Sequence, residues 1–324
     1  MRTTFKSGYS ALLVAGCVAH GVAMGQSYPN KPVQIVVPFA PGGSIDITFR
    51  TIGPGLGDRL GQPIIVMNRP GGAATIGMGV VAKSAPDGYT FGAASLAFAA
   101  NPPFLGDKMP FDTEKDLVPV TQVAKSALAF LVNAEVPARS ISEFIALAKA
   151  KPGVLNYGSV GVASSGHLVT SLFEQLAGVS MTHVPYTQGP LPALVANQIQ
   201  LQLGPIPSSM PFIKAGKLFA LGVSSLTADP SLPGVPPVAN TVPGFEASEW
   251  PGLVAPAGTP AAIISRVQQE VARVIADPEV RKRLTDIGSV PVGSTPAEFG
   301  SFIKKELATW AKVATVILAD PKNR

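Results

Sequence analysis

The sequence predicts an α/β protein organised as two lobes around mainly parallel sheets. Three observations carry that prediction. The chain has 324 residues, more than a single core usually organises, so two domains are expected. Short apolar runs with strand character alternate with segments of helical spacing, the pattern of a sheet covered on both faces. Its 33 glycines and 32 prolines sit singly between apolar runs, as turn punctuation does, and only 14% of residues are charged. Such a composition describes a globular chain rather than a disordered one.

From Tyr28 to about Gln122 the β–α alternation is regular. Strands are expected at Val33–Phe39, Ile64–Asn68 and Tyr89–Ala94. The first helix is expected over Ile45 to about Leu60, interrupted by Gly53-Pro54-Gly55, and a second after Pro70-Gly71-Gly72 through Lys83. Val118–Ala124 and Leu128–Asn133 are apolar runs separated by Lys125, where the chain is expected to pass from one lobe to the other. Ser140 with Glu143 three residues on has capping-box spacing and opens a helix to about Lys151. Strands then follow at Leu155–Gly158, Thr182–Tyr186, Gln200–Gly204 and Leu218–Ser224, with helices over His167–Ala177 and Leu191–Asn197. A proline-rich irregular stretch, 226–247, precedes a strand at Leu253–Ala255. Thr259 as N-cap and Pro260 at the first helical position open another helix, and two more are expected over 278–286 and 296–318.

Residues 1–25 have the form of a secretory signal: Arg2 and Lys6, an apolar stretch from Ala11 to Val18, and small residues at Ala23-Met24-Gly25. Val14-Ala15-Gly16-Cys17 offers a rival lipoprotein-type reading, with lipid on Cys17. Both place the protein outside the cytoplasm, in the periplasm. Without Arg2 and Lys6 the formal charge falls from +5 to +3. No basic cluster interleaves with aromatics, so nucleic acid is not expected as a partner. Cys17 is the only cysteine, which leaves the folded part without a disulfide, a thiolate metal site or a cysteine nucleophile.

Recognisable catalytic and cofactor motifs are absent: there is no Gly-x-Ser-x-Gly elbow, His-Glu-x-x-His pair or Walker loop. Gly77-Met78-Gly79-Val80-Val81-Ala82 matches a dinucleotide fingerprint by letters but falls inside an expected helix. No metal or cofactor is expected. What recurs is strand, small-residue turn, helix, at 38–46, 70–77, 158–167 and 185–191. Each turn presents backbone N–H groups at the positive end of a helix, and glycine or serine lets an anion come close.

Several segments resemble the Bug receptors, the extracytoplasmic solute receptors of tripartite tricarboxylate transporters. They include Pro38-Phe39-Ala40-Pro41-Gly42-Gly43-Ser44-Ile45-Asp46, Asn68-Arg69-Pro70-Gly71-Gly72, Ala85-Pro86-Asp87-Gly88-Tyr89-Thr90, His183-Val184-Pro185-Tyr186 and the run from Trp250 to Pro260. The resemblance implies a type II periplasmic binding-protein fold, two α/β lobes joined by two crossover strands with a ligand cleft between them. Lobe 1 would comprise 28–125 and 249–324, and lobe 2 would comprise 126–248. The implied ligand is a small carboxylate, held by loops 38–46 and 158–167 from opposite lobes. The expected contact set is Phe39, Ala40, Pro41, Gly42, Gly43, Ser44, Asp46, Ala73, Ser95, Ser159, Gly161, Ala163, Ser164, Ser165, His167 and Tyr186. Membrane transporter subunits are the further partners implied, and the chain is expected to be a monomer.

Asp46 stands out, because a carboxylate beside a bound carboxylate is repulsive. Stabilising the first turn of its helix through the dipole is the simpler role, and binding a ligand amine or a water the sharper one. The chain departs from the family pattern at Ala163, at Tyr186-Thr187-Gln188-Gly189 and at Gln198-Ile199-Gln200. These changes thin the charge near the cleft and lean towards a monocarboxylate or aromatic acid. The alternative from another class is a secreted hydrolase using Ser164 or Ser165 with His167.

Overall fold

The computed structural model describes residues 28–162, 164–186 and 189–319. The leader with Cys17, Ala163 and the pair Thr187-Gln188 lie outside the described residues. In chain order the first part runs β1 (Val33–Val37), α1 (Ser44–Leu60), β2 (Ile64–Asn68), α2 (Thr75–Ala82), β3 (Thr90–Ala94), α3 (Leu96–Leu105), β4 (Leu117–Gln122) and β5 (Ala124–Lys125). The middle part runs β6 (Leu128–Asn133), α4 (Ile141–Ala150), β7 (Asn156–Ser159), α5 (Ser165–Ala177), β8 (Thr182–Pro185), α6 (Leu191–Val195), β9 (Leu201–Pro205), α7 (Ile206–Lys214) and β10 (Leu218–Val223). The chain ends with β11 (Gly252–Pro256), α8 (Ala261–Ala276), α9 (Pro278–Asp286), β12 (Val290–Pro291) and α10 (Pro296–Ala319).

Two five-stranded sheets form the two lobes, in the orders β2-β1-β3-β11-β4 and β10-β6-β9-β7-β8. The expectation of mainly parallel sheets needs correction beside the crossings. β1 is parallel to β2 and β3, and β7 to β8 and β9, but β11 is antiparallel to both its neighbours, as is β6. The reason is topological: a strand arriving from the other lobe enters its sheet from the opposite end. At the crossing itself Ser126 and Glu249 form an antiparallel bridge, exchanging N–H···O bonds of 2.7 and 3.0 Å.

The expected break in the first helix does not occur: α1 is continuous through Pro54. Its buried face, with Phe49, Ile52 and Leu56, joins a core with Val267, Val271 and Val274 of α8, and that burial outweighs the lost proline N–H. The neighbouring glycines allow close packing, since a Cβ at Gly55 would stand 3.3 Å from Val274. Two helices, α3 and α7, have no counterpart in the sequence expectation, because Pro102, Pro103 and Pro211 lie inside them. Thr259 does not cap α8. Pro260 is the flanking residue, and the Thr259 hydroxyl donates to the Pro256 carbonyl at 2.7 Å.

The second lobe is centred on Phe130, which meets Phe144 and Phe173 edge-on at 5.0 and 4.7 Å between ring centroids. Buried Trp250, just after the crossing, is packed edge-on by Phe299 and Phe302 of α10. α10 packs on α3 of its own lobe and on α5 of the other, and α3 also touches α5. The lobes therefore meet through helices rooted at the ends of β3 and β7.

Candidate functional site

The sequence Pro38 to Ser44 leaves the C-terminal end of β1 and turns into α1. Ala40, Pro41, Gly42 and Gly43 are exposed there, and Phe39 and Ser44 are partly covered. Gly42 takes φ +81°, a left-handed conformation that favours glycine. The residue before the helix is Gly43, in an extended conformation with no side chain to cap the first turn. The first N–H groups of α1 are therefore without a side-chain cap, as an anion site at a helix N-terminus would require.

Asp46 does not face outwards. It is only 2% exposed, and its carboxylate accepts from Gly42 N–H at 2.9 Å, Arg50 Nε at 2.9 and 3.0 Å, and Asn68 Nδ2 at 2.8 Å. Asn68 also donates to the Phe39 carbonyl at 3.1 Å and accepts from Arg50 Nη2 at 2.8 Å. Burial alone would raise the Asp46 pKa, but these hydrogen bonds outweigh it and hold the carboxyl below its ordinary range. Asp46 is thus the anchor that ties the glycine turn to the end of β2. Its dipole role at the first turn remains, with this brace added.

The second glycine turn is strained. Ala73 and Ala74 both take positive φ, +51° and +79°, and the Ala73 carbonyl accepts a short hydrogen bond from buried Asn101 of α3. Left-handed alanines are uncommon and gather where the surroundings impose them. Ser95, fully buried, is the extended residue before α3, and its side chain makes no cap to that helix.

In the other lobe β7 ends at Ser159, and Gly161 takes φ +133° before Ser164 and Ser165 open α5. Ser164 is the N-cap residue by position, yet its hydroxyl turns away from the helix and donates to the Gly161 carbonyl at 2.6 Å. Ser159 Oγ receives Gly161 N–H at 3.1 Å and lies 2.7 Å from His183 Nε2. Tyr186 N–H donates to the Ser159 carbonyl at 2.8 Å, which braces the loop from β8. His167 and His183 sit 4.3 Å apart, with Tyr157 stacked on both. Burial, joined at His167 by its neighbour His183, pushes both imidazoles down to about 4, so they are neutral at ordinary pH.

This geometry speaks against a hydrolase. Among the described contacts Ser159 lies beside His183, the Ser164 hydroxyl donates to the Gly161 carbonyl, and an imidazole near pKa 4 is a weak base for activating a hydroxyl. A recess of about 750 Å³ lies in the first lobe between α1 and β2, lined by Arg50, Pro54 and Ile64 among others, and no residue of loops 38–46 or 158–167 lines it.

One residue outside the expected set touches both halves. Glu249, on the returning crossover, is 9% exposed and its Oε1 lies 3.4 Å from the N–H of Leu96 at the start of α3. The Ser165 side chain, at the start of α5, interacts with the same carboxylate. In sequence Glu249 is one of two glutamates in the mixed segment Phe245-Glu246-Ala247-Ser248-Glu249-Trp250; only the crossing places it beside two helix ends.

The family described as "Tripartite tricarboxylate transporter family receptor" matches residues 48–317. BugT of Bordetella pertussis is 34% identical over 295 residues, covering 89% of each chain. A Rhodopseudomonas palustris protein solved with adipate superposes with a TM-score of 0.82 at 32% identity, covering 89% of this chain and 97% of the other. MatC of the same organism, solved with bound malate, superposes with a TM-score of 0.81 at 32% identity, covering 89% of this chain and all of the other. Among the described residues no helix is long and apolar enough to cross a membrane. Profile, sequence and fold agree, and the chain belongs to the receptor family of the tripartite tricarboxylate transporters.

Proposed function

We propose that this chain is a periplasmic solute receptor that captures a small organic carboxylate between its lobes and delivers it to a tripartite tricarboxylate-type transporter. Lobe 1 comprises 28–125 and 249–324, and lobe 2 comprises 126–248. The observation that carries the reading is the paired state of two helix ends. α1 and α5 arise from different sheets and open on Gly- and Ser-rich loops, and neither is closed by its own cap side chain. α4 and α9 are closed by Ser140 and Asp277, while α2, α3, α6, α7 and α8 also lack a side-chain cap. It is therefore the Gly- and Ser-rich loops at the ends of two different sheets that set α1 and α5 apart. Two open helix N-termini facing one carboxylate supply N–H donors and two positive dipole ends without a lysine or arginine. Gly42, Gly43, Ser44, Gly161, Ser164 and Ser165 are the contacts proposed, with Ala73 and Ser95 lining the same end of the first sheet. Adipate and malate in the related structures favour a dicarboxylate.

The mature protein works as a monomer that closes on the ligand, so capture stabilises the closed state through contacts from both sides. A thermal-shift screen tests this. Adipate, malate and benzoate are compared with adipamide and malamide on the purified mature chain. A carboxylate at a hundredfold its Kd adds about 2.7 kcal/mol and raises the melting temperature by several degrees, while the amides leave it in place. Stabilisation by the amides and not by any acid would overturn the proposal.

A further inference from the structure

We propose that Glu249 is the inter-lobe positioning residue of this site, tying the start of α3 to the start of α5, and that it takes up a proton when an anionic ligand enters. The inference rests on the carboxylate-receptor reading above and extends it to a residue outside the expected contact set.

The geometry is specific. Glu249 lies on the crossover that returns to the first lobe, and its backbone is bridged to Ser126 on the outgoing one. Its carboxylate accepts a long hydrogen bond, 3.4 Å, from Leu96 N–H, beside Ser95, and interacts with the Ser165 side chain, beside Ser164. Each contact therefore falls one residue from a proposed ligand contact or on one, and the two come from opposite lobes. A lobe rotation about the crossovers that separated α3 from α5 would break one of them.

The charge on Glu249 has little support. The acid that acts on it from α10 is Glu306, itself buried against Trp250 and Trp310 and pushed up by that burial. On α5 the titratable side chain nearest Ser165 in sequence is His167, neutral down to about pH 4, and α3 carries no ionisable side chain. Lys125, next to the outgoing crossover, is exposed. Lys305 acts on Glu306, as does Glu246. Burial, only partly offset by the two hydrogen bonds, lifts Glu249 to about 7. It is therefore poised between charged and neutral forms at the helix ends that a ligand carboxylate would occupy.

Linkage fixes the sign. A bound anion raises the pKa of a neighbouring carboxyl, so the complex holds more protons than the free receptor, and affinity falls as pH rises. Ligand carboxyls are already ionised above about pH 6, so the effect between pH 6 and 8.5 belongs to the protein.

The test is calorimetric titration of the mature receptor with adipate and with malate at pH 6.0, 7.0 and 8.5, in two buffers of different ionisation enthalpy. Wild type is expected to take up a fraction of a proton at pH 7.0 and to bind about tenfold more weakly at pH 8.5 than at 6.0. Glu249→Gln removes both the uptake and the pH dependence, whereas Glu306→Gln keeps them. Binding without proton uptake by wild type overturns this proposal and leaves the receptor reading standing, even if the variant does not fold. Uptake that survives in Glu249→Gln but is lost in Glu306→Gln also overturns it. Failure of both acids to bind at every pH overturns the receptor reading, and this proposal with it.

Discussion

Asp46 shows how a single buried side chain braces the candidate site. Its carboxylate closes the turn onto Gly42 N–H and joins the turn to Asn68 and Arg50. Hydrogen bonds to a charged group contribute more than neutral ones, and removing one partner leaves the others unsatisfied. Asp46→Ala is expected to cost about 2–3 kcal/mol in urea denaturation and to weaken carboxylate binding by freeing the glycine turn. Because the folded pKa lies below the ordinary value, the contribution is present above the usual carboxylate range and fades as pH falls beneath it. Unchanged stability would show that the brace contributes nothing. Asp46 was visible in the sequence, but its partners 22 and 4 residues away were not: a buried anchor and a ligand contact have the same one-letter signature. Glu249 was missed for the same reason, and its opposite shift gives the opposite sign. Between the ordinary 4.5 and about 7 it lowers stability as pH rises, so the melting temperature of Glu249→Gln should gain on wild type from pH 5 to 8.

At the scale of elements, legibility followed local chemistry. Ser140 with Glu143 was readable because a cap is a short-range device. Glu143 N–H donates to Ser140 Oγ at 3.2 Å, and the Glu143 carboxylate reaches back one residue further than expected, to Arg139 N–H at 2.6 Å. Ser140→Ala is expected to cost about 1 kcal/mol by chemical denaturation while carboxylate affinity stays as in wild type. A loss of affinity as large as that from Asp46→Ala would tie α4 to the site, against this account. Helices α3 and α7 were hidden by prolines that tertiary burial overrides, and the glycine-proline run in α1 read as a break when it is a packing stripe against Ile64 and Val274. The antiparallel returns of β6 and β11 depend on which lobe a strand arrives from, and no local pattern carries that.

For the molecule as a whole, the two-lobe α/β architecture was legible from alternation, length and the resemblance of spaced motifs. The loops that form the candidate site were legible too, as glycine turns after apolar strands. Their placement on opposite lobes was expected with the resemblance, but the backbone bridge between Ser126 and Glu249 at the crossing was not. That crossing joins a shared interior, with α10 lying on both α3 and α5. If the two open helix ends recognise a carboxylate group, isothermal titration of the mature chain with malate and with malamide, side by side at pH 6.0, gives saturable one-to-one binding of malate and no binding heat from malamide. Equal binding of the two, or binding of the amide alone, would show that they recognise something else.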